Sequence, residues 1–208
     1  MDNAKNKVKK QFEQSGGGYR ESAIHAKGRD LEWIVEEIKR GPAPLLALDI
    51  ATGTGHTAFA LSRCVPRVIG CDLTPEMLRI ASEEAKRRGI DNVTWAEGDA
   101  ESLPFPDRLF DVVTCRIAAH HFPRAELAFA EARRVLVRGG RMFLVDNYVP
   151  EEADDLLNQV ETLRDPSHFR AHTLSGWAHL LRKAGFSSVA LVRKWKTQIG
   201  RASCRERV

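Results

Sequence analysis

The stretch that decides the fold is Leu45–Thr57, with the sequence LLALDIATGTGHT. Its first part, Leu45–Ile50, is a short apolar run of the kind that forms a buried strand in a parallel sheet. Gly53 and Gly55 follow at once, and residues without a Cβ let the backbone turn tightly and approach a ligand. The stretch therefore predicts a strand, a glycine turn and a helix, the opening unit of an α/β domain.

Strand-like and helix-like segments alternate over the rest of the chain. A helix over residues 30–39 precedes the glycine turn and ends at Gly41-Pro42. Further strands are predicted over residues 67–71, 93–96, 109–115, 141–145 and 188–195. Further helices are predicted over residues 55–64, 75–88, 123–137, 150–163 and 173–184. This alternation predicts the α/β class, with a mostly parallel sheet and helices on both of its faces.

The composition is that of one ordinary globular domain. The chain has 208 residues, of which 43% are hydrophobic and 29% charged, and no apolar run comes near the ~20 residues of a membrane span. The four cysteines form no CxxC pair, and the seven histidines lack metal-ligand spacing. We therefore expect a cytoplasmic protein with reduced thiols, no metal site and no membrane span.

The last ten residues, 199–208, have the sequence IGRASCRERV, which resembles the translation of a sequencing-adapter oligonucleotide. We expect this tail to be non-native. Its three arginines and one glutamate supply two of the four net positive charges, so the remaining chain is close to neutral. Because that remainder lacks a basic stripe with interleaved aromatic residues, we expect no nucleic-acid partner.

Two acidic residues end neighbouring predicted strands, where open α/β sheets bind their ligands. Asp49 is placed to hold a cationic amino group, and the Asp72 carboxylate can accept both hydroxyls of a ribose. Residues 53–58 (GTGHTA) also fit the GxGxxA dinucleotide fingerprint, with Asp72 as its ribose acid. From these residues alone, an NAD(P)-dependent oxidoreductase and a non-catalytic nucleotide-binding module both remain open.

Five segments taken together resemble class I S-adenosylmethionine (SAM)-dependent methyltransferases of the ubiquinone/menaquinone-biosynthesis branch. They are ALDIATGTGHTA (47–58), GCDLTPEML (70–78), EGDAESLPFP (97–106), FDVVTCRIAAHHF (110–122) and RVLVRGGRMFLVD (134–146). Their order and spacing carry the resemblance, which covers nearly all of residues 10–197. Ala51 departs from the glycine usual at its position in the class. The resemblance implies a Rossmann-like fold, SAM as cofactor, and in-line methyl transfer to a small-molecule acceptor.

The resemblance also implies a cofactor site. The methionine part of SAM is assigned to Asp49, Ala51, Gly53, Gly55 and, chiefly through its backbone, Arg116. The ribose is assigned to Asp72, and the adenine to Leu73, Met77, Asp99 and Ala100.

A catalytic base is needed only if the acceptor must lose a proton, because SAM carries an activated methyl group. His120 and His121 follow the fourth predicted strand and are the candidates for a base. Arg164 and His168 lie in an insertion that covers the acceptor pocket in the family. Tyr19 and His25 are expected to close as a lid, with residues 16–18 as its hinge.

The resemblance divides the chain into an N-terminal arm or lid (1–28), a methyltransferase domain (29–198) and the tail (199–208). In the family, a seventh strand inserts antiparallel between strands five and six. With a non-native tail that last strand would be missing, so we expect an open edge on strand five and a tendency of this chain to aggregate.

Overall fold

The structure is a computed structural model that describes residues 5, 6, 9, 28–199 and 203–207. Its helices are α1 (Arg29–Arg40), α2 (His56–Leu61), α3 (Pro75–Arg88), α4 (Ala125–Val135), α5 (Asp154–Arg164) and α6 (Leu174–Lys183). Its strands are β1 (Leu46–Ile50), β2 (Arg67–Asp72), β3 (Val93–Glu97), β4 (Phe110–Arg116), β5 (Leu136–Val145), β6 (Asn147–Tyr148), β7 (Trp195–Ile199) and β8 (Ser203–Arg207). Two 3₁₀ turns cover Ala119–His121 and Glu151–Ala153. Across these described segments, no helix is both long and apolar enough to span a bilayer.

The main sheet has five parallel strands in the order β3-β2-β1-β4-β5. The chain adds strands outward from β1 to β3, then returns to the other side of β1 with β4. This reversal opens a crevice beyond the carboxyl ends of β1 and β4, the usual ligand position in open α/β sheets. The predicted α/β, Rossmann-like sheet is confirmed.

Helices cover both faces of the sheet, as predicted. Successive side chains of a strand point to opposite faces, and β1 shows this directly. Leu48 packs in a core cluster with Phe129 of α4, whereas its neighbour Ala47 packs in a second cluster with Ile38 of α1 and Leu61 of α2.

The predicted sixth strand over residues 188–195 is wrong. Residues 187–194 have no regular secondary structure, and strand β7 begins only at Trp195. The apolar pattern that suggested a strand is exposed to solvent, with Leu191 and Val192 more than half accessible. These residues lack a strand partner among the described segments, where β5 pairs only with β4.

The end of the described chain forms a small separate sheet. Strand β8 lies between β6 and β7 and is antiparallel to both. It falls within the ten residues that the sequence analysis treats as a tail. The backbone of this segment is therefore paired in the small sheet, while β5 pairs only with β4 among the described segments.

Strand β5 begins five residues earlier than the sequence predicted, because α4 ends at Val135 and not at residue 137. A shift of register between Phe110 and Val112 accommodates this early start opposite β4. Gly139 has a φ of 77°, a conformation that glycine adopts at little cost. The glycine pair thus lies within a bent strand and does not separate a helix from a strand.

Candidate functional site

A cavity of about 130 Å³ lies at the carboxyl ends of β1, β2 and β4. Its wall gathers eight of the ten residues predicted to bind the cofactor: Ala51, Gly53, Asp72, Leu73, Met77, Asp99, Ala100 and Arg116. His121, one of the two predicted catalytic residues, also lines it. Residues far apart in sequence meet here because parallel strands end at the same edge of a sheet.

The glycine turn between β1 and α2 has an unusual backbone. Ala51, Gly53 and Gly55 all have positive φ values, of 52°, 54° and 88°. A Cβ on Gly53 would meet no atom within 4 Å, whereas a Cβ on Gly55 would lie 2.8 Å from Phe59 and Trp95. Gly53 therefore lines the cavity, and Gly55, which does not, is required by packing behind the wall.

Asp72 joins the tip of β2 to this turn. Its carboxylate oxygens accept hydrogen bonds from Gly53 N at 2.7 Å and from Thr74 N at 2.9 Å. Burial raises the pKa of this carboxyl group, although the backbone donors oppose that effect. An acidic side chain is thus held in a fixed orientation on the cavity wall.

Asp49 is not among the residues that line the cavity, in contrast to the direct contact that the sequence analysis expected. Its two carboxylate oxygens accept hydrogen bonds from Thr52 Oγ1 at 2.6 Å and Thr114 Oγ1 at 2.7 Å. Burial raises the pKa of Asp49 to about 6. The side chain is fully enclosed, and what it positions is Thr52, which does line the wall.

Asp99 lies just after β3, where it closes a turn and meets the N-terminal segment. Its Oδ1 accepts from the backbone of Glu101 at 2.9 Å, and its Oδ2 lies 2.5 Å from Lys5 Nζ. Lys5 also lies 2.6 Å from Glu101 Oε2. Burial disfavours the charged ammonium, but the hydrogen bonds to these two carboxylates raise the pKa of Lys5. Lys5 and Glu101 each line the cavity, and neither was predicted from the sequence.

Arg116 is the last residue of β4, and its side chain forms a buried ion pair with Asp30 of α1. The family resemblance implies a contact through the Arg116 backbone, and the ion pair of its side chain was not predicted. A signal for Asp30 did exist in the sequence. It lies one helical turn before Ile34 on the apolar face of α1, where an unpaired carboxylate would be costly.

His120 does not line the cavity. Its Nδ1 lies 2.5 Å from Oδ1 of Asp146, the residue that follows β5. Asp146 Oδ2 also accepts from the backbone of Ala119 at 2.7 Å. Burial works to raise the pKa of Asp146, but its contacts with His120 prevail and lower that pKa. This pair therefore anchors the 3₁₀ turn to the end of β5.

His121 lines the cavity, and its ring is held from behind. Nδ1 lies 3.0 Å from the backbone oxygen of Ser167 and 3.1 Å from Ser167 Oγ. Burial, with a smaller contribution from the neighbouring His120, lowers the pKa of His121. The imidazole is therefore neutral near pH 7.

Two further predicted residues, His168 and Arg164, lie away from the wall. His168 is buried behind His120, where its Nε2 lies 2.9 Å from Asn158 Oδ1, and burial lowers its pKa to about 4. Arg164 lies at the end of α5, where it pairs with Glu161. Tyr19, His25 and the hinge at residues 16–18 fall outside the described residues. Within the described part of the chain, no group of three or more His, Cys, Asp or Glu side chains could hold a metal ion.

The sheet is parallel, a glycine turn follows its first strand, and an acidic residue lies at the next strand tip. This combination is typical of proteins that bind a nucleotide-bearing ligand. Comparisons with known proteins narrow this class. The family model described as a methyltransferase domain matches residues 48–144. YcgJ, an uncharacterized methyltransferase of Bacillus subtilis strain 168, is 42% identical over 90% of this chain and 74% of its own length. Its crystal structure superposes with a TM-score of 0.77, covering 81% of this chain and 72% of that one.

Two further matches are also methyltransferases. The crystal structure of a putative methyltransferase from Bacillus halodurans C-125 is 41% identical, with a TM-score of 0.76 and coverage of 82% of this chain and 74% of that one. The ubiquinone/menaquinone biosynthesis C-methyltransferase UbiE of a Bradyrhizobium strain is 29% identical over 86% of this chain and 79% of its own length. This chain therefore belongs to the class I methyltransferase family, whose enzymes depend on SAM. The oxidoreductase and the non-catalytic module receive no support from these matches.

Proposed function

We propose that the cavity binds SAM and that the protein transfers the SAM methyl group to a small-molecule acceptor. The observation that carries this proposal is the convergence on one cavity wall of eight residues that the resemblance assigns to the cofactor. When bound, SAM supplies a methyl group that its sulfonium charge has already activated. The task of the chain is then to align the two reactants and to exclude water.

The wall offers suitable partners for an adenosine group. The Asp72 carboxylate is an acceptor, so it fits the ribose hydroxyls and would repel a phosphate placed there. Leu73 and Met77 supply apolar surface for the adenine ring, and Asp99 supplies an acceptor for the adenine amino group. Because Lys5 lies on Asp99, the adenine amino group would have to share or displace that ion pair.

The other end of the cavity suits the methionine group. The turn from Ala51 to Gly53 brings backbone close to the ligand position, and Thr52 is held there by the carboxylate of Asp49. Arg116 also lines this end of the cavity, and because its guanidinium group pairs with Asp30, we assign its backbone to the methionine group. We therefore assign Asp49 an indirect role: it lies behind the cavity wall and positions Thr52, which lines that wall.

The acceptor end follows β4. Apolar side chains dominate there, with Ile117, Phe122 and Pro123 on the wall beside His121. A lining of this kind fits a small acceptor with an apolar body. It disfavours highly charged substrates, because their charges would lose hydration there. It also helps to exclude water, which in-line displacement requires.

Thermal unfolding in the presence of nucleotides tests this proposal. A ligand at 100 times its Kd stabilises the folded state by about 2.7 kcal/mol. We expect SAM and S-adenosylhomocysteine to raise the Tm, and NAD⁺ at the same concentration to leave it unchanged. Stabilisation by NAD⁺, with no effect of either sulfur nucleotide, would contradict the proposal.

A further inference from the structure

The hydrogen bonds around His121 determine which ring nitrogen carries its proton. A backbone carbonyl oxygen can only accept, so the 3.0 Å contact with Ser167 O requires a proton on His121 Nδ1. The ring is neutral near pH 7, because burial lowers its pKa. Nε2 is therefore the nitrogen with the lone pair, and a neutral imidazole of this form is a base.

Ser167 is itself oriented by a carboxylate. Its Oγ donates to Asp165 Oδ1 at 2.6 Å, and its backbone N–H donates to the same oxygen at 2.9 Å. With its own proton directed at Asp165, Ser167 Oγ can only accept from His121 Nδ1, which lies at 3.1 Å. Burial alone would raise the pKa of Asp165, but the bonds from Ser167 outweigh it and keep this group ionised. Each hydrogen bond in this series is therefore donated toward Asp165: His121 donates to Ser167, and Ser167 donates to Asp165.

The backbone keeps this segment fixed against the histidine turn. Phe169 N and Arg170 N both donate to His120 O, at 2.8 and 3.0 Å. His120 is in turn held by Asp146, and its ring centroid lies 4.0 Å from that of His121. The imidazole of His121 is therefore held between Ser167 and His120, at the cavity wall and away from bulk solvent.

We propose that His121 is the general base of the methyl transfer, and that Ser167 and Asp165 are positioning residues that hold its Nδ1–H tautomer. This inference rests on the proposed function. The nucleophilic atom of the acceptor gives its proton to His121 Nε2, while its electron pair forms the new bond to the methyl carbon. The S–CH₃ bonding pair stays on sulfur, which leaves S-adenosylhomocysteine.

The charge balance favours this arrangement. His121 gains one positive charge as the sulfonium loses one, so the net charge of the cavity is unchanged by the step. Burial and the neighbouring His120 disfavour the charged ring and prevail in the resting site, while the carboxylates of Asp165 and Asp146 partly offset them. A base of this kind serves acceptors whose nucleophilic atom carries a proton, such as a hydroxyl group. The proton then passes from His121 to solvent after the products leave.

Nitrogen NMR of the histidine rings tests the inference without an activity assay. Long-range ¹H–¹⁵N spectra of the full chain distinguish the two tautomers, and comparison with His121→Gln assigns the ring. We expect a neutral Nδ1–H form of His121 at pH 7. A charged ring, or a neutral ring protonated at Nε2, would overturn the proposal.

Two variants test the positioning role. Ser167→Ala and Asp165→Asn each weaken one hydrogen bond, so we expect the Nε2–H population to rise about fivefold. Ser187→Ala changes an exposed serine and serves as the control. An unchanged tautomer ratio in both variants would contradict a positioning role.

Calorimetric titration with S-adenosylhomocysteine separates this inference from the proposed function. The wild type and both positioning variants should bind it equally, because neither substituted residue lines the cavity. Failure of the wild type to bind would refute the proposed function. Normal binding together with the wrong tautomer would refute the base assignment alone.

Discussion

The carboxylate of Asp72 accepts a hydrogen bond from Gly53 N at 2.7 Å, which ties the tip of β2 to the glycine turn after β1. The same carboxylate accepts from Thr74 N, next to the start of α3. One side chain therefore fixes three segments that meet at the cavity. In the proposed complex the same carboxylate also holds the ribose. Its loss should therefore weaken ligand binding more than it destabilises the fold.

Replacement of Asp72 by alanine should abolish measurable SAM binding. Hydrogen bonds to a charged group contribute about 1.5–3 kcal/mol each, so the loss of two ribose bonds weakens binding by at least about 100-fold. Calorimetric titration measures this, with Asp91→Ala, an exposed carboxylate, as the control. His121→Ala should bind SAM normally, and the opposite pattern in these two variants would overturn the site assignment.

Replacement of Lys5 by methionine should strengthen SAM binding. Lys5 forms ion pairs with both Asp99 and Glu101, and the adenine amino group has to compete for the first of them. A hydrogen bond contributes about 1 kcal/mol net, so we expect the affinity to rise by about fivefold when this competing bond is removed. Lys9→Met is the matched control. Weaker binding in Lys5→Met would mean that Lys5 closes over the ligand and does not compete with it.

Gly53→Ala and Gly55→Ala should have different effects, although both residues have positive φ. The new methyl group on Gly55 would overlap Phe59 and Trp95, and we expect a loss of at least about 2 kcal/mol in unfolding free energy. On Gly53 it meets no atom, so only the backbone strain of about 1 kcal/mol applies. Its methyl group would instead crowd the bound ligand. Urea unfolding and SAM titration distinguish these effects, and equal stability losses would contradict the packing role of Gly55.

Asp49 should make the stability of the protein depend on pH. Burial raises its pKa from an ordinary 3.8 to about 6, so the folded state favours the neutral carboxyl. The stability this contributes is complete below pH about 4 and is lost as the pH rises to about 6. Asp49→Asn cannot titrate. The difference in unfolding free energy between the two proteins should therefore change by about 3 kcal/mol across that range. A constant difference would show that Asp49 has an ordinary pKa.

The sequence predicted the parts of the fold that depend on local pattern. The turn from Ala51 to Gly55 is specified by its own small residues, and α3 is bounded by Pro75 and Gly89 as expected. Eight cofactor positions could be predicted because the motifs that hold them match the pattern of the family, and parallel strands bring those motifs to one edge of the sheet. The segment 188–195 was misassigned because a strand also needs a neighbour to pair with, and that neighbour is not a local property.

Side-chain partners across the sheet could not be predicted from the sequence. Asp49 was expected to face the ligand, but Thr114 on β4 competes for its carboxylate from 65 residues away. His120 likewise meets Asp146, which follows β5. Lys5 reaches Asp99 across 94 residues. Each of these contacts depends on which strands are adjacent and which rotamers pack, and neither is encoded in a motif.

A crystal structure with S-adenosylhomocysteine tests the central claim most directly. We expect the ribose hydroxyls to bind Asp72, the adenine to lie between Met77 and the Asp99 turn, and the sulfur to lie toward His121. A ligand bound elsewhere, or one whose ribose faces away from Asp72, would contradict it.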